Sequence, residues 1–432
     1  MLEIIPTLYK QFLKNPLVCT DTRKIVPGAM FFGLKGENFD GNLFVEQALN
    51  QGCSLAIADN PDLPKNDKVI RVDNALKTLQ HLAAFHRMQL NIPFIGITGT
   101  NGKTSTKELI NNILSKKYKV CATQGNLNNH IGVPLSVLSV TPGCEIAVIE
   151  MGANHPGEIH DLCMISQPDY GIITNIGKAH LEGFQSINGI INTKKAIYDT
   201  IKSRNGKIFV CHDNSLLMDL SAKLKRITYG TNPESDCRAE IISSNPLLNL
   251  KWIINKNQTL NINTKLAGYY NFENVLSAIC IGQYFNIKPL DIKDAIEDYS
   301  PSNNRSQVLQ GKKNTIIMDA YNANPASMDA ALRNFIQCDC SPKFAVIGDM
   351  LELGDEAENE HKKIIGLLAT SGIDKVILVG ENFHSLKNLF QYPVFTEVGE
   401  ASAWLEKSAF NGFTFFIKGS RGIKLENVLP YI

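Results

Sequence analysis

The sequence predicts an α/β protein of three domains: an N-terminal α/β unit, a central phosphate-loop domain on a mostly parallel sheet, and a smaller C-terminal Rossmann-like unit. Three observations predict it. Apolar runs without polar alternation recur along the chain, as strands covered on both faces of a parallel sheet require. Helical periodicities lie between those runs, giving the alternation of α/β folds. A glycine-rich turn carrying a lysine and a threonine follows one such run and leads into a helix, the setting of a phosphate-binding loop.

The chain has 432 residues, which at roughly 150 residues per domain suggests about three domains. Hydrophobic residues make up 44% and charged residues 20%, ordinary values for a globular protein with a large core. The formal net charge is +1, and no basic run is interleaved with aromatics. Bulk charge therefore calls for neither nucleic acid nor an anionic membrane. The opening "MLEIIPTLYKQFLKNP" mixes charges among apolar residues and lacks the apolar core and cleavage site of a signal peptide. No run approaches the ~18 apolar residues of a membrane span. The ten cysteines form no C-x-x-C pair. Cys338 and Cys340 are closest, with no histidine at zinc-site spacing. Free buried thiols in a reducing cytoplasm are expected.

The first block, residues 1–88, contains "TDTRKIVPGAMFFGLKGENFDG", the short strand "CSLAIAD" and the helical pattern "NALKTLQHLAAFHRMQ" that closes it. The second, 89–303, starts with the strand "IPFIGITG" and adds "EIAVIEMG", "YGIITNIG" and "GKIFVC". "YSPSNNRSQ", Tyr299 to Gln307, is polar and turn-rich and reads as a linker. The third, 304–432, repeats the alternation with "NTIIMDA", "KFAVIGDM", "KVILVG" and "FTFFIKGS", as in a Rossmann-like domain. There is no internal repeat or low-complexity segment.

"GITGTNGKTSTKE" is built to hold a phosphate. The strict G-x-x-x-x-G-K-[ST] pattern fails because Ile97 stands where its first glycine belongs. Gly99, Thr100, Asn101, Gly102, Lys103, Thr104 and Ser105 remain. Glycines let backbone N–H groups turn toward phosphate oxygens, and the following helix adds its positive end. Lys103 would neutralise β/γ-phosphate charge, and the Thr104 hydroxyl would meet Mg²⁺. No guanine-reading N-K-x-D follows. Glu150 ends the strand "EIAVIE", where a carboxylate can hold a phosphate-bridging Mg²⁺. His180 follows "YGIITNIGKA" toward the same sheet edge, either as a ligand or as a structural histidine. Lys194 and Lys195 lie on a helix-like stretch. They read as solvated lysines unless CO₂ converts one into an anionic carbamate.

"TGTNGKTSTK", "GNLNNHIGVPLSVL", "EMGANHPGEI", "TNIGKAHLEGF" and "DAYNANPASM" occur in this order, and together they resemble the Mur ligase family over nearly the whole chain. The resemblance implies a UDP-binding N-terminal domain, a central ATPase and a Rossmann-like C-terminal domain. It implies ATP-driven amide formation through an acyl phosphate in a cytoplasmic enzyme of peptidoglycan precursor synthesis. "DAYNANPASM" and "GDMLELG" resemble the member that joins D-alanyl-D-alanine to UDP-N-acetylmuramoyl-tripeptide. A sibling ligase or a folylpolyglutamate synthase would share the phosphate loop. "DAYNANP" and "LELG" argue against the folate enzyme, and the lack of a "DNPR"-like motif argues against the diaminopimelate-adding sibling. A non-catalytic UDP-sugar-peptide binder would tend to lose Lys103, Glu150 or the carbamate lysine, and all are present.

By motif, the family's roles fall on residues 99–105 for the triphosphate and on Thr104 and Glu150 for a first Mg²⁺. His180 and a carbamylated Lys194 would serve a second Mg²⁺. Asn271 and Asn274 would lie near the adenine, Arg305 would reach the phosphates, and Asp319 would take the ribose with Tyr321 and Asn322 beside it. Lys103, Lys194, His180 and Arg305 are the implied catalytic residues. Thr22, Arg23, Gly36 and Asp40 match the uridine-nucleotide pocket, and Asn126, Asn128 and Asn129 the muramoyl-peptide site. A monomer without nucleic-acid partner or membrane insertion is expected. This chain has Asn42 and Tyr270 where many relatives have histidine, and Ala196 where many have an acid.

Overall fold

The computed structural model describes residues 2–432 except His180, Gln185, Asn303 and Lys312, and omits the side chains of Leu2 and Leu181. Among the described residues the strands form three sheets. The first is parallel, in the order Val18–Cys19, Met30–Phe32, Leu55–Ala58, Val69–Arg71.

The central sheet carries the site. From one edge it runs Val120–Ala122, Ile146–Glu150, Phe94–Thr98, Tyr170–Ile173, Lys207–Cys211, Arg226–Gly230 and Cys237–Ser243, all parallel. Phe94–Thr98 and Ile146–Glu150 are buried at every position, as the uninterrupted apolar runs predict. The chain leaves Phe94–Thr98 toward one edge and later returns to its other side. The carboxyl end of that strand is therefore a switch point, where open α/β sheets form ligand crevices. Leu247–Asn255 and Gln258–Ala267 extend the sheet antiparallel.

Helix Lys103–Leu114 buries Leu109, Ile110, Ile113 and Leu114 against Phe272–Tyr284 on one face of the sheet. Phe272–Tyr284 is apolar almost all round and correspondingly buried. The opposite face shares its core with the N-terminal helices Ile5–Phe12 and Ala75–Gln89. Polar groups stitch this junction. His86 bonds Tyr9 Oη at 3.1 Å and Val140 O at 2.8 Å, and Arg87 reaches Ser166 O, Gln167 O and Asp169. Burial lowers the His86 pKa, which favours its neutral form.

The C-terminal sheet runs Gln307–Gln310, Thr315–Asp319, Thr414–Lys418, Lys343–Gly348, Lys375–Val379 and Val394–Phe395. Only its first strand is antiparallel among the described residues. Apolar clusters cover both faces. One expectation about cysteine needs correction. Cys121 and Cys144, brought together by neighbouring strands, are joined as a disulfide. The other eight are free, seven of them buried. Among the described residues no helix is long and apolar enough to cross a membrane.

Candidate active site

Strand Phe94–Thr98 ends at Gly99, whose φ is +149° and whose added Cβ would stand 1.9 Å from Thr174 Oγ1. Gly102, with φ +80°, heads helix Lys103–Leu114, and a Cβ there would stand 2.3 Å from Asn274 Oδ1. These positions need glycine for conformation and for space. Gly99→Ala is expected to displace the loop from Thr174 and destabilise the fold by about 1–3 kcal/mol. Thermal unfolding and nucleotide binding measure both effects.

The neighbouring strand's end grips the loop. Asn175 Oδ1 accepts from Asn101 N at 2.9 Å, and Thr174 Oγ1 donates to Asn101 O at 2.6 Å. Thr100 N donates to Asn175 O at 2.9 Å, and Gly177 N donates to Thr100 Oγ1 at 3.0 Å. Thr174 and Asn175 escaped sequence reasoning.

Lys103 Nζ donates to Gly99 O at 2.8 Å and Thr100 O at 3.1 Å. Lys194, buried on helix Ile187–Ser203, donates to the same Gly99 O at 3.0 Å. Lys195 turns away and pairs with Asp199 at 2.7 Å. The structure thus brings Lys194, not Lys195, to the phosphate loop. Burial lowers the Lys103 pKa, opposed by Glu150 and aided by Arg305. Burial first, then repulsion from Lys103, takes Lys194 well below the usual lysine value.

Glu150 is almost fully buried. Its Oε1 accepts from Thr104 Oγ1 at 3.1 Å and Asn128 Nδ2 at 2.7 Å, while Oε2 is buried without a hydrogen-bond partner. An unpaired carboxylate oxygen beside a helix-start hydroxyl fits a Mg²⁺ bound to phosphates. Among the described residues no group of three or more His, Cys, Asp and Glu side chains is placed to hold a metal ion. His180, expected to serve a second cation, lies outside the described residues.

The C-terminal domain supplies the opposite wall. Asp319 accepts from Lys418 Nζ at 2.6 Å and from Ser306 N at 3.0 Å. Lys418, missed in the sequence because "FIKGS" reads as an ordinary strand end, is 2% exposed and Asp319 14% exposed at the side chain. Lys418→Met leaves a carboxylate without its partner in a largely desolvated place. A loss of about 3–5 kcal/mol is expected in denaturant unfolding. The Arg305 guanidinium lies 3.6 Å from the Tyr321 ring centroid, and its Nε is buried without a partner.

Most of these groups line one cavity of about 800 Å³ between the central and C-terminal domains, whereas Gly99, Thr174 and Lys194 lie behind its wall. Thr100 to Ser105, Glu150, Asn271, Asn274, Arg305, Asp319, Tyr321 and Asn322 all border it. Asn271 and Asn274 are buried and bonded to each other at 3.0 Å, with Asn274 Oδ1 accepting from Thr106 Oγ1. Asn126, Asn128 and Asn129 also border the cavity. The Asn128 amide turns to Glu150, and Asn129 Oδ1 accepts from Ile131 N and Gly132 N within its own turn.

The N-terminal candidates lie apart from this cavity. Arg23 is exposed and held in a fork by Asp21 at 2.9 and 2.8 Å, which takes the Asp21 pKa down to about 2. Thr22 belongs to the short 3-10 turn that Asp21 caps. Asp40 caps the turn Gly41–Phe44 through Asn42 N. Gly36 N donates to Phe39 O, and a Cβ on Gly36 would strike the Phe39 ring.

Comparison with known proteins agrees along the chain. Residues 17–87 match the Mur ligase family, catalytic domain; 97–282 the Mur ligase middle domain; and 304–421 the Mur ligase, glutamate ligase domain. A Bacillus subtilis (strain 168) protein named UDP-N-acetylmuramoyl-tripeptide–D-alanyl-D-alanine ligase is 36% identical, over 95% of this chain and 92% of that protein. Its Escherichia coli (strain K12) namesake is 31% identical, over 95% and 92%. A crystal structure of MurF from Acinetobacter baumannii superposes with TM-score 0.86 at 30% identity, covering 96% of this chain and 92% of that one. MurF ligase from Thermotoga maritima in complex with ADP gives TM-score 0.83 at 25% identity, covering 96% of each chain. Near-full-length similarity of sequence and fold places this chain in the Mur ligase family.

Proposed function

We infer that this chain is an ATP-dependent, ADP-forming ligase that joins D-alanyl-D-alanine to UDP-N-acetylmuramoyl-tripeptide during peptidoglycan precursor synthesis. The observation that carries the reading is the cleft itself: Lys103 and Glu150 on one wall face Arg305 and Asp319 on the other. The near-full-length relatives bearing the ligase's name support the choice of substrates.

A carboxylate is a poor electrophile and needs a leaving group. A tripeptide carboxylate oxygen attacks the γ-phosphorus, the bond to the β-phosphate breaks, and ADP departs. The amine of D-alanyl-D-alanine then attacks the acyl carbon. A C–N bond forms, the C–O bond to phosphate breaks, and the amine gives up a proton. Two anions must meet in the first step. Residues 99–105 cradle the triphosphate with loop amides and the helix start. Lys103 and Arg305 reduce the repulsion. Thr104 and Glu150 would hold Mg²⁺, which supplies charge neutralisation when bound.

Lys194 is the candidate for the carbamate. It is enclosed, it abuts the loop at Gly99 O, and its lowered pKa favours the neutral amine that CO₂ requires. With His180 it would face a second Mg²⁺. Asn271, Asn274, Asp319, Tyr321 and Asn322 border the nucleoside end of the cleft. Asn126, Asn128 and Asn129 would lie toward the muramoyl-peptide. Thr22, Arg23, Gly36 and Asp40 would take the uridine nucleotide within an N-terminal domain of residues 1–88. Residues 89–303 would form the ATPase domain and 304–432 the C-terminal domain, in a cytoplasmic enzyme.

A heavy-oxygen label in the tripeptide's terminal carboxylate tests the chemistry. One labelled oxygen is expected in each phosphate released. Unlabelled phosphate would exclude the acyl-phosphate route.

A further inference from the structure

Helix Pro325–Gln337 of the C-terminal domain begins against the phosphate loop. Its N-cap, Asn324, accepts from Ser327 N at 2.9 Å through Oδ1, and Ser327 Oγ in turn accepts from Asn324 N. That cap fixes which way the amide faces, so Nδ2 is free to donate outward. It donates to Asn101 Oδ1 at 2.7 Å, and Asn101 Nδ2 answers toward Asn324 Oδ1 at 3.4 Å. Asn101 sits in the middle of the phosphate loop, its backbone held from below by Thr174 and Asn175. Side by side with this pair, a Cβ on Gly177 would stand 3.4 Å from Ala326 Cβ. Nearby, Lys178 Nζ approaches Glu360 Oε1 at 3.4 Å. Two polar contacts, at Asn101 and Lys178, and the close approach of Ala326 to Gly177 therefore seat the C-terminal domain on the central one.

We propose that Asn324 is a positioning residue for the nucleotide: through the Asn101 amide it fixes the phosphate loop when the C-terminal domain is docked. The paired amides leave the Asn101 side chain a single orientation. The loop N–H groups that turn toward phosphate are then set by a residue more than two hundred positions away in sequence. A domain swung outward withdraws Asn324 and leaves the loop gripped from one side only. This inference rests on the ATP-ligase reading, while its test needs no acceptor.

The test is a double-mutant cycle of Asn324→Ser and Asn101→Ser, read first in the affinity for a non-hydrolysable ATP analogue by calorimetry. Serine also caps helices, so Asn324→Ser keeps the bond to Ser327 N and removes the reach to Asn101. A drop of about tenfold in affinity is expected, the scale of a desolvated hydrogen-bond pair, with thermal stability near wild type. In the Asn101→Ser background the second substitution should change little, because the two act as one unit. Effects that multiply independently, or an affinity that ignores Asn324→Ser, would overturn the proposal. Turnover with peptide substrates, run in parallel, separately tests the ligase reading.

Discussion

Lys103→Ala is expected to lower ATP-driven phosphate release by about 10²–10³-fold, the usual effect of removing one preorganised donor aimed at developing charge. The side chain bonds Gly99 O and Thr100 O and is half-buried at the cavity wall. An ammonium so placed interacts with phosphate charge more strongly than one in solvent. The substitution also leaves two loop carbonyls without that donor, so thermal unfolding must accompany the kinetics. A folded variant with near-normal turnover would remove Lys103 from the mechanism. An unfolded one would leave Lys103→Met, which keeps the stem without the charge, as the deciding variant.

Lys194→Ala is expected to fall by a similar factor, about 10²–10³-fold, whereas Lys195→Ala should stay within about 0.5 kcal/mol of wild-type stability and retain activity. Burial and geometry make the distinction: Lys194 is 3% exposed and reaches the loop, while Lys195 is tied to Asp199 one turn on. If Lys194 acts as a carbamate, its role is that of an anion. Acetate or propionate should then restore part of the activity to Lys194→Ala, and wild-type enzyme stripped of CO₂ should recover on adding bicarbonate. Rescue by an amine in place of a carboxylic acid would show that an ammonium is wanted, and would refute the carbamate.

The strands that position the cleft were legible because both of their faces are covered. "FIGIT" and "IAVIE" carry no polar alternation to obscure them, and both are fully buried. Cys237–Ser243, Leu247–Asn255 and Gln258–Ala267 alternate between covered and open positions, the period-2 mark of half-buried strands, which a search for uninterrupted apolar runs alone passes over. In the site, Gly99, Gly102, Lys103, Thr104 and Glu150 were readable because phosphate chemistry restricts those positions to few residue types. Asn175, Asn324 and Lys418 were not. Each acts by bonding a group distant in sequence, and an asparagine in a turn or a lysine at a strand end looks the same with or without that partner. The choice between Lys194 and Lys195 is of the same kind. Adjacent helical positions differ by about 100° in direction, and packing against the loop decides between them.

The most direct measurement is the mass of the product formed from UDP-N-acetylmuramoyl-tripeptide, D-alanyl-D-alanine and Mg–ATP, with phosphate followed alongside. A UDP-muramoyl pentapeptide, one phosphate per product, and release that needs both peptide substrates are expected. Ligation of a different acid or amine in their place, or nucleotide binding without turnover of any pair, would contradict the proposed function.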